Sequence, residues 1–420
     1  MSTTARNASF LHRRRILVTL GTFLTTILLS TLPARAGQNG MPDALQGDGR
    51  VSRFYRWEGT IPRPGKLLRQ EKVEPTLGLA NAGTQLRILY SSIDGIDGKS
   101  PIVVSGLLFL PHGKPPAGGW PLMAWAHETA GMADICAPSW AGYSTSIEGF
   151  LNTWLAHGIA IVATDYQGLG TLGPHPYLAV RPGAYGVLDS VRAVQQSFPV
   201  IGKKVLLAGY SQGAQAAFGA AALQSSYAPK LDLRGVIATG TPYMTPETAP
   251  AMRADTAAQV SYLLVYPLYL GLMAQQSDPT LKASDMFSEK AMPLFEMTRR
   301  ACVWQLVLEA LSSHLTRAES VKPGFERALL ANIHLLEYPS LKLSAPLFMG
   351  IGELDQDAPA SLQLALTKKA CNAGTTIEAH LYAGAPHNEA VTRLLPQAIR
   401  FADAVLAGKT VTPVCSPEAE

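Results

Sequence analysis

A doubly wound, mostly parallel α/β sheet is the fold class this sequence predicts, on three observations. Short, wholly apolar, β-branched segments recur along the chain, as strands buried on both faces should. Helical patterns separate the later segments, and strands alternating with helices give parallel pairing through crossovers. Finally, a G-x-S-x-G at Gly209–Gly213 sits between an apolar segment and a helix-forming one. The strands are expected at residues 86–91, 102–110, 122–126, 159–164, 205–209, 236–239, 347–351 and 377–382. Helices are expected at 184–196, 213–223, 359–370 and 388–406. From 241 to 344 the alternation fails, and the stretch is almost entirely helix-compatible. It reads as a helical cap over the carboxyl edge of the sheet, where ligands of open α/β folds bind. Residues 256–277 inside it carry no charge, but Pro267 and three tyrosines favour buried cap helices over a membrane span.

Composition bounds the rest. A chain of 420 residues, 47% apolar and 16% charged, can bury a large core. Residues 1–36 read as a secretory signal peptide. In that stretch Arg13-Arg14-Arg15 precede an apolar run to about Leu32, and Ala34-Arg35-Ala36 offers a cleavage site. The arginines suit twin-arginine export as well as the general route, so a secreted or periplasmic protein is expected either way. Those residues hold five basic and no acidic side chains, which turns the formal +4 into −1 for the remainder. Nucleic acid is therefore not an expected partner. Residues 37–84 read as an N-terminal arm, 85–240 and 345–420 as the two parts of the core, and the chain as a monomer. Cys136, Cys302, Cys371 and Cys415 all lie beyond the signal segment, and an even count in an exported chain favours disulfides. Three pairings are open. No spacing recommends a metal site, and no cofactor is expected.

The chemistry starts at Ser211. A strand, a tight turn and a helix are the setting in which a serine hydroxyl is lifted off the sheet edge as a nucleophile. It needs a histidine to take its proton and an acid to orient that histidine. In the α/β-hydrolase fold the order is Ser, Asp/Glu, His, with the acid after one late strand and the histidine after the next. After 347–351 comes Gly352-Glu353-Leu354-Asp355-Gln356-Asp357-Ala358-Pro359, and after 377–382 comes Ala383-Gly384-Ala385-Pro386-His387. Asp355 is the expected acid, with Asp357 its rival and Glu353 third. His387 is the expected base. One oxyanion donor is the N–H of Gln212, the residue after the nucleophile. The second comes from the loop His127-Glu128-Thr129-Ala130-Gly131, with Thr129 first and Glu128 second in order of choice. His127 reads as a holder of that loop, and Asp165 as a structural acid bonding backbone near the site.

The motifs Ala-Trp-Ala-His-x-Thr-x-Gly at 124–131, Cys136-Ala137-Pro138-Ser139, Asp165–Thr171, His175-Pro176-Tyr177-Leu178 and Leu188–Ala193 resemble the secretory lipase family, the fungal lipase A type and its bacterial relatives. The resemblance runs from about residue 65 to 415 and is weakest in the cap. It implies a capped α/β-hydrolase acting on carboxylic esters, with Ser211, Asp355 and His387 on the triad positions. It also implies disulfides Cys136–Cys302 and Cys371–Cys415. Small-molecule ester or lipid substrates follow, with transient contact at a lipid interface. One departure stands out: many bacterial relatives have glycine where this chain has Glu128. A carboxylate there opposes a developing oxyanion unless it is protonated, hydrogen-bonded or turned away. The triad also suits an acyltransferase or peptidase, and the scaffold more remotely suits a silent binding protein.

Overall fold

The computed structural model describes residues 51–250 and 258–420. The segment read as a signal peptide and the first residues of the stretch read as an arm lie outside them. Nine strands form one sheet: β1 Leu67–Lys72, β2 Ala82–Ile93, β3 Pro101–Pro111, β4 Trp120–Ala126, β5 Ala160–Thr164, β6 Ile201–Tyr210, β7 Asp232–Thr239, β8 Leu347–Gly352 and β9 Ile377–Tyr382. Their spatial order is β1-β2-β3-β5-β4-β6-β7-β8-β9. The first three strands and the β3–β5 pair are antiparallel, and every pair from β5–β4 onward is parallel.

Period-two alternation distributes the central strands between two cores. Leu122, Ala124, Val205 and Leu207 pack with helices Val180–Ser197 and Gln212–Tyr227 on one face. Met123, Trp125, Leu206 and Ala208 pack with Thr145–Ala156 and Leu395–Leu406 on the other. These strands are buried on both faces, which is why they read as unbroken apolar runs. Strand β1 lies inside the stretch read as an arm. As a half-exposed edge strand it carries Arg69, Glu71 and Lys72, and such charge on an edge blunts pairing with other chains but hides the strand from an apolar pattern. The single helix expected over 388–406 is two, His387–Arg393 and Leu395–Leu406. Pro396, which has no N–H to donate, sits in the first turn of the second.

A helical cap is inserted between β7 and β8. Its described helices are Val265–Ser277, Ala283–Met286, Met292–Met297, Val303–Ser312, Arg317–Ser320 and Pro323–Asn332. They share a core of their own around Leu268, Tyr269, Met273, Phe287, Phe295 and Leu306. Among the described residues no helix is long and apolar enough to cross a membrane. Cys136–Cys302 joins the segment after β4 to this insertion, and Cys371–Cys415 ties the helix Ala360–Asn372 to the C-terminal segment. The first bridge spans 166 residues of sequence. Replacing both of its cysteines by alanine is expected to cost about 2–5 kcal/mol. It should be read as a lower denaturation midpoint; an unchanged midpoint would show that the insertion is held by its packing alone.

Candidate active site

Strand β6 delivers Ser211 at φ 56° and ψ −122°, a strained conformation for a residue with a Cβ, directly ahead of the helix Gln212–Tyr227. Its N–H donates to the carbonyl of Thr239 at the end of β7 (2.9 Å). Both flanking glycines are obligatory on steric grounds. A Cβ on Gly209 would lie 2.1 Å from the Gly213 carbonyl oxygen, and one on Gly213 would lie 1.8 Å from that of Ala126. As the first residue of the helix, Gln212 has an N–H with no intrahelical acceptor.

The three acidic candidates have different partners. Asp355 has a fully buried side chain and accepts from His387 Nδ1 at 2.7 Å through Oδ2. It also accepts the Ala358 N–H (2.9 Å) and Gln363 Nε2 (2.9 Å). Asp357 instead accepts the phenols of Tyr262 and Tyr266, and Glu353 accepts the Gly384 N–H (2.7 Å). Of the three, Asp355 is the one that hydrogen-bonds the histidine.

His387 opens a helix directly after Pro386. Its ring centroid lies 4.9 Å from that of Tyr210, the residue before Ser211. It also packs on Gly240, where a Cβ would lie 2.5 Å from Cε1, so this face needs glycine, which also has φ +61°. The imidazole thus sits against Tyr210, which precedes Ser211, and Gly240, which follows the Thr239 that accepts the Ser211 N–H. With Nδ1–H donating to Asp355, the neutral ring keeps an unprotonated Nε2. Burial opposes its charged form. The Asp355 hydrogen bond and the charges of Asp355, Asp357 and Glu128 outweigh that and hold its pKa above the usual range.

The loop after β4 is pinned from several sides. His127 Nδ1–H donates to the Glu128 carbonyl, and Tyr166 donates to the His127 carbonyl at 2.7 Å. Burial brings the pKa of His127 down to about 4, which keeps it neutral. Thr129 Oγ1 and the Tyr177 hydroxyl share a hydrogen bond of 2.8 Å, while the Val303 N–H of the insertion donates to the Ala130 carbonyl at 2.8 Å. Asp165 accepts the Ser139 N–H (3.0 Å) and the Ser105 hydroxyl (2.6 Å), a framework role.

Glu128 is the anomaly. Its Oε2 is buried with no hydrogen-bond partner among the described residues. Burial pushes its pKa up to about 7, even though a hydrogen bond from its own backbone N–H and the nearby His387 favour the carboxylate. The carboxyl therefore changes charge near neutral pH. If the carboxyl faces the oxyanion, its charged form opposes that charge, and Glu128→Gln is expected to raise activity at alkaline pH relative to acid pH. Superimposable pH–rate profiles for the two proteins would rule this out.

Sequence patterning did not reveal the support beneath Gln212. His175 Nδ1–H donates to the Gln167 carbonyl (2.9 Å), so its Nε2 accepts from Gln212 Nε2 (3.0 Å). Burial lowers the pKa of His175 to about 4, which keeps that acceptor free. The available signal was the His175-Pro176-Tyr177-Leu178 run, which places His175 and the Thr129 partner Tyr177 two residues apart.

The sheet order, the serine at positive φ between strand and helix, and the helical insertion before β8 define an α/β-hydrolase. Residues 139–413 match the secretory lipase family, and the chain belongs to that family. It is 35% identical over 111 residues to Lipase 7 of Candida albicans, covering 24% of this chain and 25% of that protein. It is 25% identical over 372 residues to a secreted triacylglycerol lipase of Malassezia globosa, covering 82% and 76%. The chain thus aligns with about a quarter of the first relative's length and about three quarters of the second's. In fold it is similar to Candida antarctica lipase A in its closed state, with a TM-score of 0.71, 21% identity, and 89% and 90% of the two chains covered.

Proposed function

We propose that this chain is an exported serine hydrolase that cleaves carboxylic esters, triacylglycerols or simpler acyl esters, through an acyl-enzyme. The observation that carries the reading is the Asp355–His387 hydrogen bond, with the imidazole packed on Tyr210, directly before Ser211, and on Gly240 after β7. Ser211 Oγ attacks the ester carbonyl while His387 Nε2 takes its proton. Asp355 fixes the tautomer and stabilises the imidazolium. The oxyanion is held by the N–H of Gln212 and an N–H of the 127–131 loop, Thr129 being the first choice. His387 then protonates the departing alcohol, and water discharges the acyl group by the same route. Two disulfides and the signal-like segment at 1–36 support export. Family membership and the names of the relatives support lipids as substrates.

Hydrolysis rates over a series of p-nitrophenyl esters of increasing acyl length, below and above micelle formation, test the reading. Turnover that depends on acyl length is expected. If no ester in the series is hydrolysed by the folded protein, the proposed function is wrong.

A further inference from the structure

We infer that Asp357 is a second carboxylate acting on His387, a positioning residue whose own place is fixed by the inserted helices through Tyr262 and Tyr266. The inference rests on the triad reading above and adds to it a link between the insertion and the base.

Asp355 and Asp357 stand two residues apart on the loop after β8, and their side chains serve different partners. Asp355 is buried against His387, Ala358 and Gln363. Asp357 is half-buried, and each of its oxygens accepts one phenol: Oδ2 that of Tyr262 at 2.6 Å and Oδ1 that of Tyr266. Tyr262 lies in the short turn Tyr262–Leu264 and Tyr266 in the first turn of the helix Val265–Ser277. The four-residue spacing puts both phenols on one side of a helical stretch. Burial and the Asp357 charge raise the pKa of both phenols, so both remain donors throughout the working range. One atom from each of Asp355, Asp357 and His387 lies within 4.8 Å of the others. A carboxylate at that range favours the imidazolium that forms when the Ser211 proton arrives. Asp355 gives the ring its orientation through a direct bond. Asp357 adds charge from a position that depends on the docked insertion.

The carboxylates facing His387 are Asp355, Asp357 and Glu128, and the Tyr210 ring packs on it. His387 works as a base only when neutral, and each carboxylate favours its protonated form. Removing the Asp357 charge therefore moves the acid limb of kcat/KM to lower pH. Performing the comparison in a Glu128→Gln background leaves Asp355 and Asp357 as the two charges that set the limb.

Asp357→Asn is expected to shift the acid limb downward and to lower kcat about tenfold, with KM changed much less; a partly screened charge at this distance supports an effect of that size. Asp357→Glu, which keeps the charge, should leave the limb in place. Tyr262→Phe combined with Tyr266→Phe keeps the charge but loosens its place beside His387, so kcat falls and the limb moves downward by less than in Asp357→Asn. A purely structural role would lower kcat and thermal stability in all three proteins with every limb in place, and that result overturns the inference. Should Asp357→Asn fail to fold, the other two variants still decide, because an unmoved limb in the double tyrosine variant or a downward shift in Asp357→Glu is incompatible with the inference. Failure of the triad reading itself is separate and shows as ester hydrolysis surviving Ser211→Ala.

Discussion

Ser211→Ala is expected to slow ester hydrolysis by about 10⁵–10⁶-fold while leaving the fold intact. The hydroxyl is the only atom lost. The turn that holds it is specified elsewhere: by the backbone bond to Thr239, by the close approach of Gly213 to Ala126, and by the helix that follows. Circular dichroism and the melting temperature should therefore stay near those of the parent protein. What remains is hydrolysis by water aided by the oxyanion donors. Near-normal turnover in this variant would mean that the serine turn has another purpose.

Asp355→Asn is expected to cost about 10⁴-fold in kcat. The carboxylate accepts three donors, His387 Nδ1–H, the Ala358 N–H and Gln363 Nε2. An asparagine carries donors of its own, and turning its NH₂ toward His387 would demand the tautomer with the proton on Nε2. That is the wrong form for a base. The acid limb of the rate profile should also move to lower pH, since Asp355 is the main group holding the His387 pKa up against burial. Comparison with Asp357→Asn separates the two acids of the loop by about three orders of magnitude. Equal losses would leave the orienting acid undecided between them.

The fold and the site were not equally legible in the sequence. Central strands such as β4 and β6 are covered on both faces, so their sequences are apolar throughout and betray them. The edge strand β1 has solvent on one side and charges to match, and it passed for an arm. Ser211 and His387 were legible because each sits in a short loop whose neighbours are dictated by geometry: two glycines with no room for a Cβ, and a proline opening a helix. The acid was legible as a ranked choice, Asp355 ahead of Asp357 and Glu353, since the three share one loop and only a direction in space distinguishes them. The supporting layer was hidden altogether. His175 beneath Gln212, Tyr177 beside Thr129, and the tyrosines on Asp357 come from segments up to about a hundred residues away, and no local pattern encodes such a meeting. Glu128 was visible as a departure from related chains, but the buried, unpartnered oxygen that makes it consequential is a property of the folded loop.

The central claim is that Ser211 is the nucleophile, and covalent capture addresses it most directly. The protein is treated with a p-nitrophenyl alkylphosphonate, the released nitrophenol is counted, and the adduct is located by peptide mass. The expected result is one equivalent of nitrophenol, loss of esterase activity in step with it, and a phosphonyl group on the peptide containing Ser211. The contradicting result is full inhibition with the adduct on another residue, such as Ser144 in the partial match Gly142-Tyr143-Ser144, and Ser211 unmodified.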